Sequence, residues 1–185
     1  MIKNWKTLRR EPFAKTPIFG VDRVRRASTT TTRLGDFYVI DCASWVNVFA
    51  VTGAGNLVAI RQYRQGTDAV TLEVPGGGID TSESPLDAAK RELREETGYT
   101  ATRWIHAGFV DVNPAIQTNQ CHIFLAFGAA KTHHTELDDS EEIDVLEFPW
   151  RELTARIHAR EITHSLVVAG AYFVLPLLET EYPHG

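Results

Sequence analysis

The chain has 185 residues, of which 43% are hydrophobic, 23% charged and 10% aromatic, with a formal net charge of −5. This length suits one well-buried core, and the composition excludes a disordered chain or a coiled coil. The negative balance excludes bulk electrostatic attraction to nucleic acid or an anionic membrane, so a phosphate-bearing ligand would need local cations. Cys42 and Cys121 match no disulfide framework or zinc spacing and read as small buried hydrophobes. The opening MIKNWKTLRREPF lacks the apolar stretch of a secretory signal, and no segment approaches the ~18 apolar residues of a membrane span. A reducing, cytoplasmic setting is the expectation.

Residues 1–43 read as an N-terminal β extension of two or three short strands, including Asp36–Asp41, broken at Pro12, Pro17, Gly20 and Gly35. Arg23, Arg25 and Arg26 there read as a solvated strand face. The main domain is expected over 44–185. Trp45–Val51 and Leu57–Arg64 alternate around a Gly53–Asn56 turn, which predicts a hairpin. Thr71–Val74 is extended and is stopped by Pro75 and three glycines. A helix follows from Pro85 to about Thr97, with Ser84 as N-cap, Pro85 in the first position, Asp87 closing a capping box and Gly98 as the C-terminal stop. Further strands are expected at Trp104–Asp111, Cys121–Ala129 and Ile143–Phe148. A short helix is expected over Trp150–His158 and a longer apolar one over about His164–Leu178, capped by Thr163. The order predicts an α/β sandwich.

The helix carries the chemistry. At ~100° per residue, Glu92, Glu95 and Glu96 share an arc of roughly 100°. Leu86, Ala89 and Leu93 fall on the adjoining arc and are expected to face the core. Ala88 falls inside the carboxylate arc, where a small side chain would leave room for a ligand. Like charges at this spacing cost a bare helix about 0.2–0.5 kcal/mol per pair. Two readings are open on these residues alone: a solvated acidic face partnered by Lys90, Arg91 and Arg94, or a site for a divalent cation. Hard oxygen ligands suit magnesium, and a bound cation acidifies water for attack on phosphorus. The preceding Gly76, Gly77 and Gly78 permit unusual backbone angles and an exposed carbonyl.

Gly77, Glu83, Arg91-Glu92-Leu93, Glu95-Glu96, Gly98 and Tyr99 together resemble the Nudix box. Tyr99 stands where an aliphatic residue is usual. The resemblance implies the Nudix fold, a mixed β-sheet sandwiched between helices, and metal-assisted hydrolysis of a nucleoside diphosphate linked to another moiety. It implies Glu92, Glu96 and the carbonyl of Gly76 as metal ligands, with Glu95 a ligand or water-mediated catalytic partner. It implies a bracing pair in Glu83 and Arg91, structural glycines at Gly77 and Gly98, and magnesium or manganese as the cation.

Three flanking stretches resemble the branch that hydrolyses ADP-ribose and other nucleoside diphosphate sugars. Arg61-Gln62-Tyr63-Arg64 is followed by Leu72-Glu73-Val74-Pro75, with Gly76 where alanine is usual. Pro114 stands sixteen residues after Gly98. The acidic stretch Leu137–Val145 offers Glu141 or Glu142 as base or water-orienting group, and the choice between them stays open. The resemblance thus implies a substrate-binding set of Arg61, Arg64, Glu73 and Pro114. Arg61 and Arg64 lie three apart on a strand and face opposite sides, so at most one meets a given phosphate. It also implies a homodimer in which the N-terminal segment, with Trp5, Phe13, Phe19, Phe37 and Tyr38, packs across a two-fold axis and helps build the partner's nucleotide pocket. His122, His133, His134, His158 and His164 show no ligand spacing tied to the box and read as core or surface. The alternatives are a nucleoside triphosphate pyrophosphatase of the same family and a non-catalytic nucleotide-sensing module. The full set of box acids speaks against the latter.

Overall fold

The computed structural model describes residues 1–138 and 141–183. Asp139 and Ser140, in the middle of the acidic stretch 138–142, lie outside the described residues. The chain forms two compact units, Met1–Ala43 with Asp111–Gln120, and Ser44–Val110 with Cys121–Gly185.

In the first unit, β1 (Lys6–Lys15), β2 (Gly20–Ala27) and β3 (Leu34–Asp41) form an antiparallel sheet in the order β1-β2-β3. Arg23 donates to Asp36 across the β2–β3 pair at 2.7 Å, and Arg25 lies 3.7 Å from the same carboxylate. Arg23 and Arg25 therefore sit on the strand surface with a carboxylate partner, as expected, whereas Arg26 is half-buried and its Nε has no hydrogen-bond partner. The segment 111–120 joins this sheet through backbone bonds: Ile40 N–H donates to the Ile116 carbonyl, and Thr118 N–H to that of Ile40.

The second unit is built on β4 (Trp45–Thr52), β5 (Asn56–Arg64), β6 (Ala69–Glu73), β7 (Tyr99–Thr100), β8 (Arg103–Asp111), β9 (Gln120–Lys131) and β10 (Ile143–Pro149). The sheet runs β10-β5-β4-β9-β7, with β6 on β5 and β8 on β9. β4 and β9 are parallel, and β4–β5 is the expected hairpin. The period-two alternation of β4 feeds two cores. Phe49 and Val51 point to a cluster with Val167, Ala171, Val174 and Leu178 of α3 (Ser165–Glu181). Val46, Val48 and Ala50 point the other way, to Ala88, Ala89 and Leu93 of α1 (Pro85–Thr97). Each such buried Val, Leu or Phe side chain contributes about 1.5–3 kcal/mol. The mixed sheet is thus covered by helix on both faces. Gly170 lets α3 approach closely, since a Cβ there would stand 2.5 Å from the Phe49 ring. No helix among the described residues is long and apolar enough to cross a membrane.

Helix boundaries follow local chemistry. Asp87 N–H donates to Ser84 Oγ, the N-cap bond that the sequence predicts, while the Asp87 carboxylate accepts from the Ser84 hydroxyl at 2.6 Å rather than from its backbone N–H as a capping box would. The stretch after β10 is a 3₁₀ turn (Trp150–Glu152) running into α2 (Leu153–His158). α3 departs from expectation at its start. The backbone stays extended through His164 (φ −65°, ψ 115°), so His164 rather than Thr163 occupies the cap position, and no side chain caps the helix.

Gly98 ends α1 in the left-handed region at φ 75°, donating to Arg94 and accepting from Thr132 and His133. A Cβ there would lie 2.3 Å from the His133 carbonyl oxygen. Gly98→Ala is expected to lower the unfolding free energy by about 1–3 kcal/mol, measurable by urea denaturation.

Candidate active site

The glycine stretch runs antiparallel beside β4. Val48 N–H donates to the Pro75 carbonyl at 2.8 Å and Val46 N–H to that of Gly77 at 2.9 Å. Alternation turns the peptide groups of Gly76 to the other side. Its N–H donates to Glu96 Oε2 at 2.8 Å. No side chain fits at Gly76, because a Cβ would stand 2.1 Å from the Val46 carbonyl oxygen. At Gly77 a Cβ would lie 2.4 Å from the Glu92 carboxylate. The glycines therefore allow the loop to lie flat between β4 and the acids of α1.

Those acids differ in environment. Glu96 is only 3% exposed. Burial pushes its carboxyl up to about 8, with the charges of Glu92 and Glu141 adding to the shift and the Gly76 N–H and Arg64 opposing it. Burial likewise raises Glu92, offset in part by Arg91 and reinforced by Glu95 and Glu141. Arg91 organises the group. Its guanidinium grips Glu83 at 3.0 and 2.9 Å, donates to the Gly78 carbonyl at 2.9 Å, and reaches Glu92 at 2.8 Å and Glu95 at 3.2 Å. The Arg91 contacts hold Glu83 below the ordinary carboxylate range. Arg94 takes the other Glu95 oxygen at 3.1 Å. Ala88, expected among the acids with room for a ligand, is instead fully buried in the core with Val46 and Val48.

Glu73 is 2% exposed at the end of β6 and takes a bidentate grip from Arg64, at 2.9 and 2.8 Å. Burial works against its ionisation, yet the Arg64 and Thr71 bonds outweigh it and hold the carboxyl below its ordinary range. Arg64 is thus engaged by protein, while Arg61 is exposed and opposite Asp144 in the β5–β10 register. Glu141 and Glu142 are both exposed. Glu141 exchanges bonds with Asp138, and its charge is felt at Glu92, Glu96 and Arg64. Pro114 belongs to the first unit, where it lines a cavity of about 750 Å³ with Trp5 and Phe37.

Within the second unit a cavity of about 650 Å³ is bordered by Gly76, Gly77, Arg64, Thr71, Asn47 and His164. Sequence reasoning passed over Asn47 and placed His164 in core or surface. The available signal for Asn47 was a lone amide inside the apolar run WVNVFAV.

Among the described residues, no three acidic, imidazole or thiol side chains converge on one point, since Arg91 draws Glu92 and Glu95 toward itself. The donor set nonetheless fits a hard divalent cation. Glu92 is half-buried and Glu96 buried, both with raised proton affinity, and the Gly76 N–H bonds to Glu96.

Comparison with known proteins bears on this site. The family model for the NUDIX domain matches residues 44–166. The ADP-ribose pyrophosphatase of Bacillus subtilis (strain 168) is 31% identical over 118 residues, covering 63% of this chain and 64% of that protein. The chain therefore spans a little under two thirds of that relative. The ADP-ribose pyrophosphatase of Mycobacterium tuberculosis (strain ATCC 25618 / H37Rv) is 30% identical over 142 residues, covering 74% and 67%. The methanol dehydrogenase activator of Bacillus methanolicus is 28% identical over 130 residues, covering 70% of each chain. A crystal structure of an ADP compounds hydrolase superposes with a TM-score of 0.86 over 98% of this chain and 97% of its own, at 20% identity, which speaks for the fold. With its box acids grouped at one end of α1 and its mixed sheet covered on both faces, the chain belongs to the Nudix family of hydrolases.

Proposed function

We propose that the protein is a magnesium-dependent pyrophosphatase that cleaves a nucleoside diphosphate sugar of the ADP-ribose kind to a nucleoside monophosphate and a sugar phosphate. The observation that carries this reading is the half-buried Glu92 beside the buried Glu96, both carboxyls pushed up by burial and Glu96 held by the Gly76 N–H. Likeness to the two ADP-ribose pyrophosphatases supports the substrate class.

Glu92, Glu96 and the Gly76 carbonyl would hold the cation, with Glu95 at its edge. A divalent cation there supplies Lewis acidity, offsetting phosphate charge and lowering the pKa of water. The residues of the chain do the rest. Arg91 fixes the acids against Glu83 and the Gly78 carbonyl, so their positions are set before substrate arrives. Arg64 retains an outward edge beyond its grip on Glu73 and suits a phosphate oxygen. Glu141 is our choice over Glu142 for accepting the proton of the attacking water, because its charge couples to Glu92 and Glu96. We infer a homodimer through the first unit, where Phe13 is 63% and Ile18 79% exposed. The free thiols suit a reducing, cytoplasmic setting.

Product analysis across ADP-ribose, GDP-mannose and nucleoside triphosphates with magnesium tests the reading. Release of nucleoside monophosphate plus sugar phosphate is expected, and faster release of inorganic pyrophosphate from triphosphates would displace it. Glu96→Gln is expected to lose about 10²-fold or more in kcat with its melting temperature retained; near-normal turnover would remove Glu96 from the machinery. Without cation, Glu96 keeps its proton in the fold up to about pH 8, against an ordinary value of 4.5. The native state then binds more protons than the unfolded chain across that window, so stability falls as pH rises through it. Urea titrations in chelator should show this decline, with a smaller slope in Glu96→Gln.

A further inference from the structure

The second unit's cavity of about 650 Å³ has a polar wall that the box does not supply. Asn47 is 9% exposed, yet its Nδ2 has no hydrogen-bond partner, and His164 Nδ1 is also buried without one. Buried polar groups are almost always paired, because an unpaired one forfeits its bonds to water. Both residues border the cavity, and a small turn of each side chain brings its unpaired atom to a ligand held there. Beside them begins the 17-residue α3, with His164 in the cap position and no side chain satisfying its first amide groups. That end carries the positive pole of the helix and favours electron-rich oxygen. Thr163 and Ser165 flank it along the same wall.

The chemistry of the wall selects the ligand. Burial pushes the His164 imidazole below its ordinary range, Arg64 acts in the same direction, and Glu73 opposes them. A neutral ring has one donor and one acceptor nitrogen. Nε2 faces the Glu73 carboxylate at 3.8 Å, which favours the proton there and leaves Nδ1 as an acceptor. An unpaired amide donor on Asn47 and an imidazole acceptor together suit hydroxyl groups, which give one hydrogen bond and take another. Trp45 is the single indole on this wall. We propose that this cavity is the subsite for the sugar-phosphate half of the substrate, with Asn47 and His164 binding sugar hydroxyls and the start of α3 facing their oxygens. The assignment to a substrate half rests on the pyrophosphatase reading; the binding of a hydroxyl-rich phosphate ester does not.

Calorimetric titration with ribose 5-phosphate and, separately, AMP tests this on the full chain. Ribose 5-phosphate affinity is expected to fall about tenfold in Asn47→Ala and in His164→Ala, while AMP affinity shifts by less than about twofold. Absent binding of ribose 5-phosphate to the unmodified protein, an unchanged affinity in His164→Ala, or an equal loss for AMP would each overturn it. Melting temperatures report whether the variants fold. Should Asn47→Ala fail to fold, His164→Ala, at the more exposed site, decides alone. With ADP-ribose as substrate, KM is expected to rise more than kcat falls. A protein that cleaves no nucleotide sugar but binds ribose 5-phosphate through His164 refutes the activity and keeps the subsite. Normal cleavage with His164-independent ribose 5-phosphate binding does the reverse.

Discussion

The second unit is organised around the cost of keeping carboxylates out of water. Glu96 is almost wholly buried, and its protein hydrogen bond comes from one backbone N–H. A buried charge without adequate partners takes up a proton or finds a cation. The neighbouring features serve that point. The glycine stretch must come within bonding distance of β4 on one side and of Glu96 on the other, and the space at Gly76 excludes any side chain. Arg91 must span from the helix to the loop, so Glu83 and the Gly78 carbonyl are placed to receive it. Gly98 ends α1 one residue beyond Thr97, which keeps the acids in its last two turns.

The other buried acid is handled differently. Glu73 has a bidentate guanidinium partner and a threonine hydroxyl, and it stays ionised. Two glutamates of similar burial thus end in opposite states, one satisfied by the protein and one not. The contrast separates a carboxylate whose partners are built into the protein from one held by a single backbone donor. It also explains why Arg64 cannot be treated as a free phosphate-binding cation, since part of its fork is already committed.

How much of this was legible in the sequence depends on range. Local chemistry was: Ser84 and Asp87 fix the start of α1, Gly98 fixes its end, and the box spacing marks the acids. The apolar run WVNVFAV foretold a strand, though not its burial on both faces. Features set by three-dimensional register were not. In the β5–β6 ladder Arg64 faces Ala69, and Glu73 faces Ile60, so the Arg64–Glu73 bond runs diagonally and eludes a reading of opposite residues. Ala88 shares the wheel arc of Glu92 and Glu96, yet it packs into the core with Val46 and Val48. His164 took the cap position from Thr163 because the backbone remains extended one residue longer, and threonine's good capping chemistry has no say in that.

The segment 111–120 binds to β3 through Ile40 although about seventy residues of chain intervene. The first unit is therefore discontinuous in sequence. During synthesis its three strands emerge early, but their last backbone partners emerge only after α1 and β8. A long loop must close before those bonds form, and such closures slow folding. A chain cut at residue 43 would divide a unit through its own hydrogen bonds, leaving 111–120 without the strand it pairs with.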